Sequence, residues 1–284
     1  MDAGRPSDGG GQGGSGGSGS ADAAPPPPGN LCLKTGPDYS AAGPYTVATK
    51  AVDLGGTLGA YTVFYPSNME TTCPHPIASW GNGTGVSDST STYAFFNNHA
   101  ASWGIVVMAA ANPSVGSGAW QKAGIDWLLA QNKDSSSVFY NKLGARAGVA
   151  GHSQGGIGAS AATQHANVQA EVCVEGGGTP KQGTAVLCLT GTADQLNASC
   201  NATYKAATGP AFFANYQGGD HTTTPTLAGW ISKNPGTIQF VRLHTAWYRC
   251  FLADDPSACS MFKGGTNCGI CKDPNWAGLE SHNL

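Results

Sequence analysis

Ser153 is the residue whose type and surroundings point most directly to chemistry. It lies in GHSQG (151–155), which fits G-x-S-x-G, a pattern that exposes a nucleophilic serine at a sharp turn between a strand and a helix. The same pattern also occurs at 13–17, as GGSGG, inside a glycine-rich segment. The pattern alone therefore does not separate a catalytic serine from a chance match, and the neighbouring elements must decide.

The segments beside Ser153 favour a nucleophile. The apolar strand AGVAG (147–151) leads into it and a helical pattern follows it, whereas GGSGG has neither neighbour. Gly151 and Gly155 remove side chains that would clash in a tight turn, and Gly156 lets the helix lie close to the sheet. The alternative is that Ser153 only caps the helix.

A serine nucleophile needs a base, and the base needs an orienting acid. In α/β hydrolases these follow along the chain in the order serine, acid, histidine. His165 and His244 lie in helical patterns and His282 lies at the chain end, so packing or surface positions are expected for them. His221 follows a predicted strand in the glycine-rich YQGGDHTTT, and we predict that it is the base.

The acid is predicted to be Asp194, in LTGTADQLN, because it follows the predicted strand 185–191. Glu175, at the end of the preceding strand, is the main competitor. Asp220 adjoins His221 and would point away from it in an extended loop, and Asp126 lies on the surface of a predicted helix.

The oxyanion formed during acyl transfer needs backbone N–H donors. One is expected from the residue after the serine, Gln154, and the other from the loop after the third strand. That loop is WGNGTG, in which Asn82 is the first choice, with Gly81 and Gly83 as alternatives.

From about residue 37 the chain alternates strand-like and helix-like segments. Strands are predicted at 45–53, 59–66, 76–80, 104–111, 147–151, 170–176, 185–191 and 210–217. Helices are predicted at 118–132, 156–166, 224–232 and 237–253, and in the first of them Trp120, Ala123, Trp127 and Ala130 share a face. This alternation indicates an α/β class with a mostly parallel central sheet flanked by helices, whose carboxyl edge carries the site.

Several segments together resemble the secreted bacterial polyester-hydrolase and cutinase-like family, whose members include PET hydrolases. The resemblance covers about residues 37–260 and rests on GPYTVATKAVDLGGTLGAYTVFYPSN, GHSQGG, GTADQLN, GGDHTTT and LHTAWYRCFLADD. It implies an α/β-hydrolase fold without a large lid, and cleavage of carboxylic esters through an acyl-enzyme. It assigns the triad to Ser153, Asp194 and His221, and the oxyanion donors to Asn82 and Gln154.

The sequence departs from that family at the positions that would line the cleft. Asn82 stands where PET hydrolases usually have Tyr or Phe, and Gln154 where they usually have Met. The loop EGGGTP (175–180) lacks the Trp that stacks on an aromatic substrate ring. Trp80 and Trp120 could line the cleft instead, but core packing is expected for both. Efficient PET hydrolysis is therefore not expected to be the native activity.

Composition limits the classes of partner and cofactor. The 284 residues carry a net charge of −3 and only 11% charged residues, so no basic face for nucleic acid is implied. Nine cysteines favour an oxidising compartment, with disulfides among Cys250, Cys259, Cys268 and Cys271. The last two form C-x-x-C; no second C-x-x-C and no nearby His pair completes a zinc set, although Cys250 and Cys259 could do so in principle. We predict no metal and no cofactor.

The low-complexity start, residues 1–29, is predicted to be a flexible Gly/Ser/Pro-rich linker, either a tether or a spacer. Residues 30–284 are predicted to form a single α/β-hydrolase domain. We expect a monomer, secreted or tethered to the cell envelope, that acts on an ester substrate of polymeric or lipid origin. The alternatives are an acetyl-carbohydrate or small-ester esterase and an inactive hydrolase-fold binding module.

Overall fold

The computed structural model describes Cys32 and residues 39–88, 90–222 and 235–284. Within them, the strands are β1 Val47–Asp53, β2 Ala60–Pro66, β3 His75–Gly81, β4 Val106–Ala110, β5 Leu143–His152, β6 Val168–Val174, β7 Ala185–Gly191, β8 Ala211–Tyr216 and β9 Trp276–His282. The helices are α1 Ala94–Ser102, α2 Ala119–Gln131, α3 Gln154–Ala162, α4 Asn197–Ala206, α5 Pro235–Ala253 and α6 Pro256–Cys259, with a 3₁₀ turn at Gly265–Asn267.

All these strands form one open sheet in the order β1-β2-β4-β3-β5-β6-β7-β8-β9. Neighbouring strands from β4 to β8 are parallel, whereas β1, β2 and β9 join the two ends antiparallel. This is the mostly parallel sheet expected for the α/β-hydrolase fold. Because β3, β5, β7 and β8 run in the same direction, the loops that follow them meet at one edge of the sheet.

The core occupies both faces of the sheet because successive side chains of a strand point to opposite faces. In β3, Ala78 and Trp80 pack with α1 and α5 on one face. Ile77, one position before Ala78, packs with α2 and α3 on the other face. Helices therefore cover both faces, as parallel sheets require.

Four of the described helices and strands were not expected from the sequence: α1, α4, α6 and β9. The 3₁₀ turn at Gly265–Asn267 was not expected either. Helix α4 is rich in Asn, Ser and Thr, which favour helices weakly, and it forms with Cys200, Thr203 and Tyr204 buried. Strand β9 is held by antiparallel pairing with β8, a long-range interaction that leaves no local pattern. His282 therefore ends a strand, and its Nε2 lies 3.0 Å from the carbonyl oxygen of Ala207.

The buried face of α2 also differs from the predicted one. Its buried residues are Gln121, Gly124, Ile125 and Leu128, while the expected face from Trp120 to Ala130 is only partly covered. The pattern failed because the buried stripe includes a polar glutamine, whose amide donates to the carbonyl of Gly155 at 3.1 Å. The predicted linker 1–29 and the predicted helix 224–232 lie outside the described residues.

The cysteines divide into three disulfides and three buried thiols. The disulfides are Cys32–Cys73, Cys250–Cys259 and Cys268–Cys271, so the last four cysteines pair among themselves as predicted. The free thiols are Cys173, Cys188 and Cys200. The disulfides are compatible with an extracellular protein. Among the described helices, none has both the length and the apolar character needed to cross a membrane.

The buried thiols are expected not to react with Ellman's reagent in the native protein, and all three are expected to react after denaturation without reductant. All three side chains are fully buried, and burial raises the pKa of Cys173 to about 12 and that of Cys188 well above its usual value. Thiolate and access are both needed for the reaction. Rapid labelling of the native protein, or five or more thiols in the denatured one, would contradict this arrangement.

Stability is expected to fall with acid because two histidines are buried in the neutral form. Burial, followed by a nearby histidine, lowers the pKa of His152 and of His244 to about 3. In the unfolded chain the pKa of a histidine is about 6.5. Their contribution to stability is therefore complete above pH ~6.5 and falls as the pH drops toward 3, by about 1.4 kcal/mol per pH unit for each histidine.

His244→Phe is expected to reduce this acid sensitivity, because His244 packs among Trp80, Phe96 and Tyr248, and phenylalanine does not titrate. Urea denaturation at a series of pH values measures the unfolding free energy of both proteins. The difference in unfolding free energy between the variant and the wild type should be constant above neutral pH and should shift in favour of the variant below pH ~6. Parallel curves over the whole range would show that His244 does not titrate as described.

Candidate active site

Ser153 lies between the end of β5 and the first residue of α3, with φ of 56° and ψ of −119°. A non-glycine residue rarely adopts this conformation, which costs of order 1–3 kcal/mol. The Ser153 side chain makes no capping hydrogen bond to α3, so the capping alternative does not hold. The strained turn instead directs the hydroxyl to the carboxyl edge of the sheet.

The glycines around Ser153 are required by close backbone contacts. A Cβ on Gly151 would lie 2.3 Å from the carbonyl of Gly155, and one on Gly155 would lie 2.0 Å from the oxygen of Gly81. A Cβ on Gly156 would lie 2.3 Å from the oxygen of Gly176. The turn at Ser153 and the first residues of α3, named here the elbow, are thus packed against the end of β3 and the segment that follows β6.

Ser153, His221 and Asp194 meet at this edge although their loops are far apart in sequence. His221 follows β8 and Asp194 follows β7. The His221 Nε2 atom lies 3.0 Å from the Ser153 Oγ, and the Nδ1 atom lies 2.8 Å from the Asp194 Oδ1. Because a carboxylate can only accept, Nδ1–H donates to Asp194, which leaves the Nε2 lone pair facing the serine hydroxyl.

The environment of Asp194 favours its ionised form. Burial alone would raise the pKa of this carboxyl, but hydrogen bonds from His221, from the Leu196 N–H and from the Thr190 hydroxyl outweigh burial and hold the pKa below its usual value. The last two bonds measure 2.9 and 2.7 Å. Asp194 therefore stays charged and can stabilise a protonated His221.

The competing carboxylates are placed elsewhere. The Glu175 side chain is buried, and its Oε2 lies 3.3 Å from the Nε2 of His152 rather than on the Nδ1 of His221. Asp220 accepts the backbone N–H of Thr222. Asp126 is exposed on α2 and pairs with His165.

Asn82 and Gln154, the predicted oxyanion donors, flank the elbow. Gln154 is the first residue of α3, so its N–H has no acceptor within the helix. A Cβ on Gly155 would lie 2.7 Å from the Asn82 oxygen, which places the Asn82 backbone against the first turn of α3. The hydrogen bonds of the described residues include none from the backbone N–H of Asn82 or Gln154.

The Asn82 side chain points into the protein and not into a cleft. It is fully buried, and its amide donates to the carbonyls of Ala110 and Val86 at 2.9 and 3.1 Å. It therefore fixes the segment 82–88, named here the Asn82 loop, against the end of β4. From the sequence, Asn82 was compared only with the Tyr or Phe usual at this position in PET hydrolases. That its side chain is buried and anchors the loop was not anticipated.

The expected positions of the aromatic residues are largely confirmed. Trp80 is buried in the core and stacks on Phe96. Trp120 is half-buried and packs against the hydrophobic cluster that includes residues of α2 and α3. In the loop after β6, a Cβ on Gly177 would lie 2.4 Å from the Thr203 hydroxyl, so this position has no room for a side chain.

Sequence reasoning missed two residues at the site, Tyr93 and His152. The Tyr93 hydroxyl lies 2.7 Å from His152 Nδ1, and His152 Nε2 lies 3.0 Å from the backbone oxygen of His221. The chain order serine, acid, histidine points only to histidines after Ser153, whereas His152 immediately precedes it. Its place at the second position of G-x-S-x-G was the available signal.

Among the residues that the structure describes, two groups of side chains have possible metal-ligand atoms close together. In the first, the ligand atoms of His152, Glu175 and His221 lie within 4.8 Å of one another, but both ring nitrogens of His221 are already bonded within the triad. The second group contains Cys32 and Cys73, which form a disulfide. The donors of neither group fit a resident ion.

Comparison with known proteins gives one family match. Residues 26–257 match the family model described as PETase: PET hydrolase-like. This range includes the elbow, the Asn82 loop and the loops that carry Asp194 and His221. No curated protein matches the chain.

Proposed function

Since the chain belongs to the PET hydrolase-like family, a family of ester hydrolases, we propose that it cleaves carboxylic esters through an acyl-enzyme formed on Ser153. The proposal is carried by one observation: His221 bonds the serine hydroxyl with one ring nitrogen and a buried carboxylate with the other. This arrangement is the one that nucleophilic acyl transfer by serine needs.

In the proposed acylation step, the Ser153 oxygen attacks the ester carbonyl carbon while His221 Nε2 takes the hydroxyl proton. Asp194 stabilises the resulting imidazolium through Nδ1–H and does not itself take the proton. The tetrahedral intermediate collapses as the C–O bond to the alcohol breaks. His221 donates its proton to the departing alkoxide, so the alcohol leaves neutral.

In the proposed deacylation step, a water takes the place of the alcohol. His221 removes a proton from this water, which attacks the acyl carbon, and the bond to Ser153 then breaks. The carboxylic acid leaves and the serine regains its proton. The N–H groups of Asn82 and Gln154 are proposed to bind the oxyanion in both steps, where each such donor typically contributes roughly 3–4 kcal/mol.

We infer that the native substrate is an ester with an aliphatic acyl group, as in cutinase- and lipase-like enzymes, rather than PET. The tight glycines after β6 exclude a side chain at Gly177 that could stack on an aromatic ring, and Asn82 is turned into the core. The disulfides support a secreted or envelope-tethered protein, and we propose that it acts as a monomer.

The test combines covalent labelling with a substrate series. Diethyl p-nitrophenyl phosphate should release an equimolar amount of nitrophenolate, and mass mapping should place the phosphoryl group on the peptide that contains Ser153. Rates on p-nitrophenyl esters from acetate to octanoate, and on polyester films, then define the acyl preference. Labelling of a different serine, or no release with any ester, would reject the proposal and favour a binding module.

A further inference from the structure

We propose that Tyr93 and His152 are positioning residues that hold the His221 backbone and the Asn82 loop in place around Ser153. The inference rests on the proposed ester-hydrolase function and concerns the same site. It derives from a chain of buried hydrogen bonds that runs from the backbone of Gly83, through Tyr93 and His152, to the backbone of His221.

The direction of each bond in this chain is fixed by its neighbours. His152 Nε2 faces the His221 carbonyl at 3.0 Å and the Glu175 Oε2 at 3.3 Å, and it must therefore carry the proton. A neutral His152 then presents a lone pair at Nδ1, to which the Tyr93 hydroxyl donates at 2.7 Å. The Tyr93 oxygen in turn accepts the Gly83 N–H at 3.2 Å.

Neither His152 nor Tyr93 changes its protonation state in the neutral pH range. Burial, followed by the neighbouring His221, lowers the pKa of His152 to about 3, so its ring stays neutral. Burial raises the pKa of Tyr93 to about 12, so its hydroxyl stays a donor. Tyr93 and His152 are 2% and 6% exposed, so water cannot readily replace these bonds.

This chain of hydrogen bonds links three segments that lie at or after the ends of different strands. Gly83 follows β3 and adjoins Asn82, His152 ends β5, and His221 lies after β8. The triad bonds hold only the imidazole of His221, whereas the bond from His152 holds its backbone carbonyl. A Cβ on Gly83 would lie 2.7 Å from the Tyr93 oxygen and 2.8 Å from His152 Nδ1, so glycine is needed for this approach.

Tyr93→Phe removes the hydroxyl that bonds His152 and Gly83, while the aromatic ring remains packed. We expect kcat for p-nitrophenyl butyrate to fall by roughly 10- to 100-fold, because misplacement of reacting groups lowers the rate steeply. KM should stay within about twofold, since neither residue is proposed to contact the ester. An unchanged kcat would overturn the inference.

Two variants of His152 separate positioning from general stability. The His152→Gln amide can still donate to the His221 carbonyl, whereas His152→Leu fills similar space without a donor. We expect the Gln variant to keep a kcat at least about tenfold above that of the Leu variant, at matched melting temperature. Equal kcat values in two equally folded variants would mean that the ring only fills space.

The wild-type protein and Ser153→Ala, measured in the same assay, distinguish this inference from the function on which it rests. No turnover by the wild type, or full turnover by Ser153→Ala, would reject the ester-hydrolase proposal itself. An active wild type and an inactive Ser153→Ala, together with full activity in Tyr93→Phe, would reject only the positioning role. Ser281→Ala, at an exposed position on β9, is the control variant and should keep the wild-type rate.

Discussion

Ser153→Ala is expected to lower kcat/KM for p-nitrophenyl butyrate by about 10⁴-fold or more. The substitution removes the only oxygen that His221 Nε2 contacts among the described residues, at 3.0 Å, and no acyl-enzyme can form without it. The fold should survive, because the Ser153 side chain makes no capping bond and alanine is smaller. Initial rates measured with both proteins at equal concentration test this expectation.

Ser281→Ala is the matched control, because Ser281 is exposed and lies near the end of β9, beside the beginning of β8 and away from the carboxyl edge. It should retain wild-type rates. Melting temperatures of the two variants should agree within a few degrees with that of the wild type. If Ser153→Ala kept more than a small residual rate while folded, the nucleophile would have to be sought elsewhere.

Asp194→Asn is expected to cost about 10³- to 10⁴-fold in kcat near neutral pH, by analogy with the loss of the orienting acid in other serine hydrolases. An asparagine amide can donate to His221 Nδ1 and would then favour the tautomer with its proton on Nε2. That nitrogen could no longer accept the serine proton. The loss would also remove the negative charge that stabilises the imidazolium.

Glu175→Gln is the matched control for Asp194→Asn. Like Asp194, Glu175 is buried, follows the end of a strand and lies near His221. We expect it to stay within about tenfold of the wild type, since its Oε2 contacts His152 and not the Nδ1 of His221. Steady-state kcat values of the two variants give the answer. A larger loss in Glu175→Gln than in Asp194→Asn would reassign the acid.

Much of the architecture could be predicted because it depends on local patterns. Continuous apolar runs marked β4 and β7, and the glycines beside Ser153 marked the elbow. Elements that form through distant contacts were missed: α4 has weak helix formers, and β9 exists because β8 offers a free edge. The polar Gln121 on the buried face of α2 likewise depends on a carbonyl of another helix.

The sequence by itself determined the order serine, acid, histidine and the placement of each after a strand, because strand ends and glycine turns are local properties. Only the tertiary structure decided which carboxylate reaches His221, that Asn82 anchors a loop with its side chain, and that Tyr93 and His152 join three loops. The physical reason is that these contacts join residues tens to hundreds of positions apart. Their distances follow from how helices and loops pack on the sheet, which no short pattern records.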